Sequence, residues 1–153
     1  VNKTNPGDRM TMFSKLLLGI VLSFATNLAM SIEASDKVKV TPLLKTQETW
    51  DGKPIVYPTG KAEITGMLIE VAPGGETGWH LHPVPSFGMV MEGELEVELK
   101  SGKTRVMKAG ESVAETVNEL HNGRNKGSVP VKLLVFYAGD TELPLTIKEL
   151  PQH

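Results

Sequence analysis

The chain has 153 residues, a length that suits one domain and leaves little room for two. Its 16 basic and 18 acidic residues give a formal charge of −2, and no basic block stands ready to neutralise phosphates, so nucleic-acid binding is not expected. The sequence has no cysteine, which excludes disulfides and thiolate metal ligands and leaves histidine, carboxylate and water as metal partners.

The N-terminus has the pattern of a secretory signal peptide. Lys15 precedes an apolar run at 16–25 that is too short for a relaxed membrane span. Small residues that suit cleavage follow at Ala29, Ser31 and Ala34. We therefore expect 1–34 to be a signal peptide, 35–153 to be the mature domain, and the protein to be periplasmic or secreted. An uncleaved anchor helix is the less favoured alternative because no basic stop-transfer cluster follows, so no stable membrane span is expected after cleavage.

The mature chain has the pattern of an all-β domain. After Val38, no stretch of ten or more residues shows a helical apolar period, whereas short alternating or β-branched runs recur between turn signals. We predict eight strands, at 38–44, 63–71, 78–82, 88–99, 103–107, 112–116, 121–125 and 131–137. Eight strands are enough for a small double-sheet barrel, with irregular or edge segments at 43–58 and 143–153.

The alternation is clearest at 94–99. Glu94, Glu96 and Glu98 alternate with apolar residues there, which predicts a half-buried strand with a solvated acidic face. Ser101-Gly102 follows and predicts a tight hairpin to the next strand.

Two of the four histidines form the sequence His80-Leu81-His82. The side-chain period of a strand is two, so both imidazoles point to one face and lie close enough to share a metal ion. Trp79 is then expected to point away from the metal and to serve as outer packing or as an oligomer contact. Alone, the pair also allows a surface or packed histidine pair without a metal.

The spacing around this pair resembles the two motifs of the cupin superfamily. The first motif matches in every element but one, and its positions here are Gly74, His80, His82, Ser86 and Gly93. The second motif is matched by Gly110, Thr116, Asn118, His121 and Asn125. The resemblance covers about 63–137, and the stretch 87–95 is similar to germin-like and small bacterial single-domain cupins.

This resemblance implies a single-domain jelly-roll β-barrel, also called a double-stranded β-helix, with its core at about 63–137. It also implies that His80, His82 and His121 converge on one divalent metal ion inside the barrel. Neutral imidazoles without a thiolate leave iron, manganese, nickel, zinc or copper as the metal.

The first motif departs from the family pattern at Ser86, where cupins usually supply a glutamate ligand. Three histidines still make a competent site, with positions open for water and substrate. Glu115 and Glu119 are candidates for a replacement carboxylate, but both lie near a turn, and solvated positions are favoured for them. In the second motif, Thr116 and Asn118 stand where proline and glycine are common, and asparagine tolerates the positive φ that such a turn needs.

Four residues are candidates for the pocket beside the metal. Ser86 follows the stiff segment 83–85, and Phe87 and Met89 come next in the chain. Tyr137 ends an apolar strand and can present its hydroxyl to the barrel interior, although a core tyrosine bonded at the rim is the favoured interpretation.

The resemblance implies a small-molecule metalloenzyme, either dioxygenase-like with a redox metal or isomerase- or lyase-like with manganese or zinc as a Lewis acid. The sequence identifies no acid or base for the second chemistry. The alternative is an exported cupin that captures a ligand or a metal without turnover. An inert structural barrel is disfavoured because burying three unpartnered imidazoles is costly. A homodimer is expected because exposed edge strands of small barrels commonly pair.

Overall fold

The computed structural model describes residues 37–150, so the predicted signal peptide lies outside the described residues. This range contains nine strands: β1 (Ala62–Val71), β2 (His80–Leu81), β3 (Ser86–Glu92), β4 (Glu94–Leu99), β5 (Thr104–Lys108), β6 (Ser112–Ala114), β7 (His121–Arg124), β8 (Val131–Asp140) and β9 (Ile147–Lys148). All nine belong to one compact unit that begins at Thr41. Between residues 37 and 150 there is no helix with the length and apolarity to cross a membrane.

The strands form two antiparallel sheets. One has four strands in the order β1-β8-β3-β6, and the other has five in the order β5-β4-β7-β2-β9. The apolar core draws on both sheets and comprises Val71, Val84, Val90, Leu95, Val97, Met107, Val113, Val131, Leu133, Val135 and Tyr137. The prediction of an all-β domain is confirmed.

The predicted strand at 88–99 is two strands, because the chain passes from one sheet to the other at Gly93. This residue has a φ of 77°. A Cβ at position 93 would lie 2.7 Å from the carbonyl oxygen of Pro130, closer than such atoms can approach. Only glycine combines this φ with so close a neighbour.

The predicted hairpin joins β4 and β5 through a turn in which Gly102 has a φ of 83°. Leu95, Val97 and Leu99 of β4 are buried. The intervening glutamates carry ion pairs to Lys108, Lys126 and Arg124 on the opposite face. The half-buried strand with a solvated acidic face is confirmed.

One of the two predictions at the ends of the domain was wrong. A strand was predicted at 38–44, but residues 39–44 form no strand and are exposed, because no described segment pairs with them. The region 143–153 was expected to be irregular or an edge, and this is confirmed for its described part, because β9 pairs with β2 as the edge strand of the five-stranded sheet. β9 has only two residues, too few to produce an alternation in the sequence.

A loop at 47–55 closes one edge of the four-stranded sheet. An isolated bridge joins Glu48 to Pro54, and the backbone N–H of Trp50 donates to the carbonyl of Ala114 in β6. The Lys53 ammonium lies 2.8 Å from the Glu119 carboxylate, on the loop that leads to His121. The predicted irregular segment at 43–58 therefore supports the rim of the barrel.

Candidate metal centre

Three histidines converge inside the barrel. His80 and His121 are directly paired across β2 and β7, and His82 follows two residues after His80. Their ring centroids are 4.4, 4.9 and 5.1 Å apart, and one nitrogen from each ring lies within 4.8 Å of the other two. All three side chains are buried. The structure thus brings together the three residues that the motif spacing singled out.

Each ring is anchored through its Nδ1 atom. The Nδ1 of His80 lies 2.7 Å from the carbonyl of Gly78, that of His82 lies 2.8 Å from the carbonyl of Leu145, and that of His121 lies 2.9 Å from the carbonyl of Glu119. A carbonyl only accepts a hydrogen bond, so Nδ1 donates in each case. In the neutral rings the lone pair is then on Nε2, on the side of the cavity. Such anchoring by an outer partner is typical of histidines that bind metal.

Hydroxyl groups surround two of these anchors. The Thr146 hydroxyl lies 3.2 Å from Nδ1 of His82, and the Thr116 hydroxyl lies 3.3 Å from Nδ1 of His121. Tyr137 packs edge-on against His82, with ring centroids 5.2 Å apart, and its hydroxyl bonds to Thr146. Burial and the charge of Glu115 raise the pKa of Tyr137 to about 12, so its hydroxyl keeps its proton at neutral pH. Sequence reasoning missed Thr146, since it stands in a segment without a detectable strand pattern.

The turn before His121 has the geometry that the second motif implied. Asn118 has a φ of 56°, and its backbone N–H donates to the carbonyl of His82 at 2.8 Å. This hydrogen bond ties the turn to the strand that carries the other two histidines. Asparagine at the usual glycine position therefore keeps the local conformation, as predicted.

The expectation of a solvated Glu115 was wrong. Its side chain is only 18% exposed, and its Oε2 lies 3.2 Å from Nε2 of His82. Ser86, which is buried, donates its hydroxyl to the same oxygen at 3.0 Å. The prediction was wrong because it relied on the turn near Glu115. β6 ends one residue earlier, at Ala114, and the side chain of Glu115 still points inward. Glu119 is more exposed and pairs with Lys53 at the rim.

The charges of the site are coupled. Burial lowers the pKa of His80 to about 4 and also lowers that of His121. Burial acts in the same direction on His82, but the hydrogen bond and charge of Glu115 outweigh it and raise the pKa of that ring. Burial raises the pKa of Glu115, yet His82, the charge on His121 and the Ser86 hydroxyl lower it to about 2 overall. The carboxylate is therefore ionised at neutral pH.

The histidines and Glu115 face a small cavity of about 40 Å³ that opens to solvent. The remaining lining residues are mostly apolar: Ile69, Thr77, Leu95, Val97, Gly123, Leu133, Val135 and Tyr137. None of the described lining residues is a lysine or an arginine. Three inward lone pairs and one carboxylate suit a divalent cation, so the residues present fit a bound metal ion.

Two of the four pocket candidates lie elsewhere. Phe87 and Met89 pair with Phe136 and Leu134 of β8 and do not line the histidine cavity, although Met89 lines a neighbouring cavity to which Glu115 also contributes. Strand alternation explains this correction, because Ser86 points inward and the residues at odd positions then point outward. Ser86 and Tyr137 do lie at the site. Trp79 faces away as predicted and packs under Lys100, whose ammonium is 4.1 Å from the ring centroid.

Residues 67–137 match the sequence profile of the cupin domain. Oryzines biosynthesis cluster protein J of Aspergillus oryzae is 35% identical over 74 residues, which are 48% of this chain and 41% of that protein. Phomopsin biosynthesis cluster protein C' of Diaporthe leptostromiformis is 33% identical over 69 residues, or 45% of this chain and 36% of that protein. The chain thus spans less than half the length of these two curated relatives.

Solved structures show the same fold. The polyketide cyclase RemF from Streptomyces resistomycificus has a TM-score of 0.51 at 22% identity, covering 61% of this chain and 65% of the cyclase. The DMSP lyase DddQ from Ruegeria pomeroyi has a TM-score of 0.51 at 21% identity, covering 59% of this chain and 45% of the lyase. With its two antiparallel sheets and its match at 67–137, this chain has the all-β jelly-roll fold of the cupin superfamily.

Proposed function

We propose that this chain is a metal-dependent cupin enzyme that acts on a small, largely apolar molecule. One observation carries the proposal: three buried histidines present Nε2 to one cavity while their Nδ1 atoms are held by backbone carbonyls. That arrangement fixes both the tautomer and the ring orientation that a divalent metal requires.

The lining of the cavity limits the substrate class. Its apolar walls favour an apolar body, while Glu115 is the sole ionised group among the described lining residues when the imidazoles are neutral. With no lysine or arginine to pair with a phosphate, a phosphorylated substrate is disfavoured. A divalent metal bound here would supply Lewis-acid chemistry or, if it is iron, nickel or copper, dioxygen chemistry of the dioxygenase kind.

The relatives support a role in small-molecule metabolism. Two of them are named as proteins of biosynthesis clusters. Since the aligned part is less than half of each, a shared substrate class is part of the proposal and rests on the cupin domain alone.

Capture of a ligand or a metal without turnover is the second candidate. It is favoured by the scarcity of acid and base groups: besides the histidines, Glu115 and Tyr137 are the titratable side chains among the described lining residues, and Tyr137 holds its proton at neutral pH. Consumption of oxygen or conversion of a chelating aromatic or diketone substrate would separate the enzyme from the binder.

The first experiment is elemental analysis of tag-free protein by plasma mass spectrometry. About one equivalent of metal is expected, and it should be lost in His80→Ala, His82→Ala and His121→Ala. His153→Ala is the matched control, since this histidine lies outside the motif spacing. Iron, nickel or copper would direct assays to oxygen uptake, and zinc or manganese to isomerase or lyase chemistry. Wild-type protein that holds no metal after reconstitution would refute the proposal.

We also propose a homodimer formed by the outer face of the four-stranded sheet. Neighbouring strands place Leu68, Leu134 and Met89 in one cross-strand row and Gly66, Phe136 and Phe87 in the next. Leu68 is 68% exposed and Phe136 is 46% exposed. A contiguous exposed apolar face of this kind usually marks an interface. A second copy suits it because the apolar rows of two copies would meet without like-charge repulsion.

Export remains a proposal that rests on the apolar run at 16–25 and the small residues after it. Both lie outside the described residues. Sequencing the N-terminus of protein recovered from the periplasm or the medium tests it: a start close to residue 35 supports cleavage, and retention of the apolar run contradicts it.

A further inference from the structure

We propose that Glu115 is a fourth ligand of the metal ion and that Ser86 is the positioning residue that holds its carboxylate. This inference rests on the proposed three-histidine metal site. It adds one ligand, Glu115, which directly follows β6.

The backbone places the two side chains opposite each other. The N–H of Glu115 donates to the carbonyl of Ser86 at 2.9 Å, which continues the pairing of β6 with β3 by one residue. Ser86 points into the barrel and is 1% exposed. Its hydroxyl reaches Oε2 of Glu115 at 3.0 Å, and the same oxygen lies 3.2 Å from Nε2 of His82.

The contact between Glu115 and His82 calls for a positive charge. Because Nδ1 of His82 donates to the carbonyl of Leu145, the Nε2 of a neutral ring presents a lone pair to a carboxylate oxygen. Two acceptors 3.2 Å apart repel each other unless a proton on Nε2 or a metal cation lies close to both. No lysine or arginine lines the described cavity, so the chain itself supplies no permanent cation.

A divalent metal ion meets this requirement with ligands that are already aimed. Imidazole nitrogen and carboxylate oxygen both coordinate manganese, iron, nickel, copper and zinc. The Ser86 hydroxyl donates a hydrogen bond to Oε2 of Glu115. This bond orients the carboxylate toward the histidines, as hydrogen bonds from outside the coordination sphere do for other metal ligands.

The exchange of the two side chains provides a direct test. In Ser86→Glu/Glu115→Ser, the carboxylate starts from β3 and the hydroxyl from the end of β6, so the same pair of groups fills the same space from opposite sides. If the carboxylate is a ligand, the double variant should recover much of the metal affinity that Glu115→Ser loses.

The experiment titrates Co²⁺ into metal-free protein and follows both the affinity and the visible absorption of the bound ion. Glu115→Gln should weaken binding by about 10- to 100-fold and change the absorption spectrum, and Ser86→Ala should weaken it by about tenfold. Glu94→Gln is the matched control, because this exposed carboxylate pairs with Lys108 on the outer face of the five-stranded sheet. Circular dichroism establishes that each variant is folded.

The outcomes separate this inference from the proposed function. If Glu115→Gln keeps the wild-type affinity and spectrum while His121→Ala loses Co²⁺, the fourth ligand is wrong and the three-histidine site stands. A weaker affinity with an unchanged spectrum also overturns ligation, since the carboxylate would then act through its charge alone. If His121→Ala binds as tightly as wild type, the metal site itself is wrong. Recovery in the exchange variant supports both roles, and no recovery overturns the positioning role of Ser86.

Discussion

Nε2 of His82 lies 3.2 Å from Oε2 of Glu115, while the other ring nitrogen of His82 donates to the carbonyl of Leu145. In metal-free protein this pair is stabilised by a proton on Nε2. That is why Glu115 raises the pKa of His82 against the effect of burial. A metal ion must displace that proton, so metal binding at this site releases a proton and strengthens as the pH rises.

Removal of the Glu115 charge should lower the pKa of His82 in metal-free protein. In Glu115→Gln, burial still lowers the pKa of His82, and only the hydrogen bond to Leu145 still raises it. We therefore expect the pKa to fall below its ordinary value of 6.5. A titration of the histidine ring signals by NMR measures the change. Glu94→Gln should leave the His82 titration unaltered, and an unchanged pKa in Glu115→Gln would contradict the coupling.

Metal-free protein should lose stability in acid through His80. Its folded-state pKa of about 4 lies below the unfolded value of 6.5, so the unfolded chain binds more protons between these values. The contribution of this ring is complete above pH 6.5 and is lost as the pH falls toward 4, by a few kcal/mol at most. Urea unfolding across this range checks the slope, which should be flatter in His80→Gln. Equal slopes would show that His80 titrates normally. His82 opposes this trend, because a raised pKa contributes stability below pH 6.5 that is lost at higher pH.

Bound metal should stabilise the fold. At a free metal concentration a hundredfold above the dissociation constant, mass action adds about 2.7 kcal/mol to the free energy of unfolding. The measurement is thermal unfolding with zinc or manganese and again with a chelator. In His121→Ala the difference should vanish, and persistence of the metal effect in that variant would place the metal elsewhere.

Gly93→Ala should destabilise the protein by more than about 2 kcal/mol. A Cβ there would meet the Pro130 carbonyl oxygen at 2.7 Å in addition to the strain of a φ of 77°. Gly102 provides the control, because its φ is 83° but nothing lies within 4 Å of an added Cβ. Gly102→Ala should therefore cost only about 1–2 kcal/mol. Urea unfolding compares the two, and equal losses would show that the crowding at Gly93 relaxes freely.

Leu68→Lys should weaken the proposed dimer. The charge would stand in the apolar rows of the outer face, where the interface would have to bury it. Val106→Lys is the matched control, since Val106 is 46% exposed on the other sheet. Sedimentation velocity at several concentrations measures the oligomeric state. A wild-type monomer at high concentration, or a Leu68→Lys dimer as stable as wild type, would refute the interface.

The sequence predicted the elements with strong local patterns. The alternating strand at 94–99 and the Ser101-Gly102 hairpin are local, and β4 and β5 are as expected. The His80-Leu81-His82 pattern placed two rings on one face, while the third histidine required the motif spacing, because its pairing with His80 is a long-range contact.

The remaining features depend on contacts that no local pattern encodes. Glu115 looked solvated because a turn follows it, yet the pairing of β6 with β3 carries its side chain into the cavity. Phe87 and Met89 have apolar side chains that would suit a pocket, but in β3 they lie an odd number of residues from Ser86 and point to the other face of the sheet. Thr146 and the Leu145 carbonyl reach His82 only through β9, whose two residues leave no periodic trace.

The anchor of His82 has a consequence for the order in which the protein is completed. The carbonyl of Leu145 that orients this ring lies 63 residues further along the chain. Since the ribosome makes the chain from the N-terminus, the ring is synthesised long before its anchor exists. His82 can reach its final orientation only once Leu145 has been made and β9 has docked beside β2, so full metal affinity should be acquired late in folding.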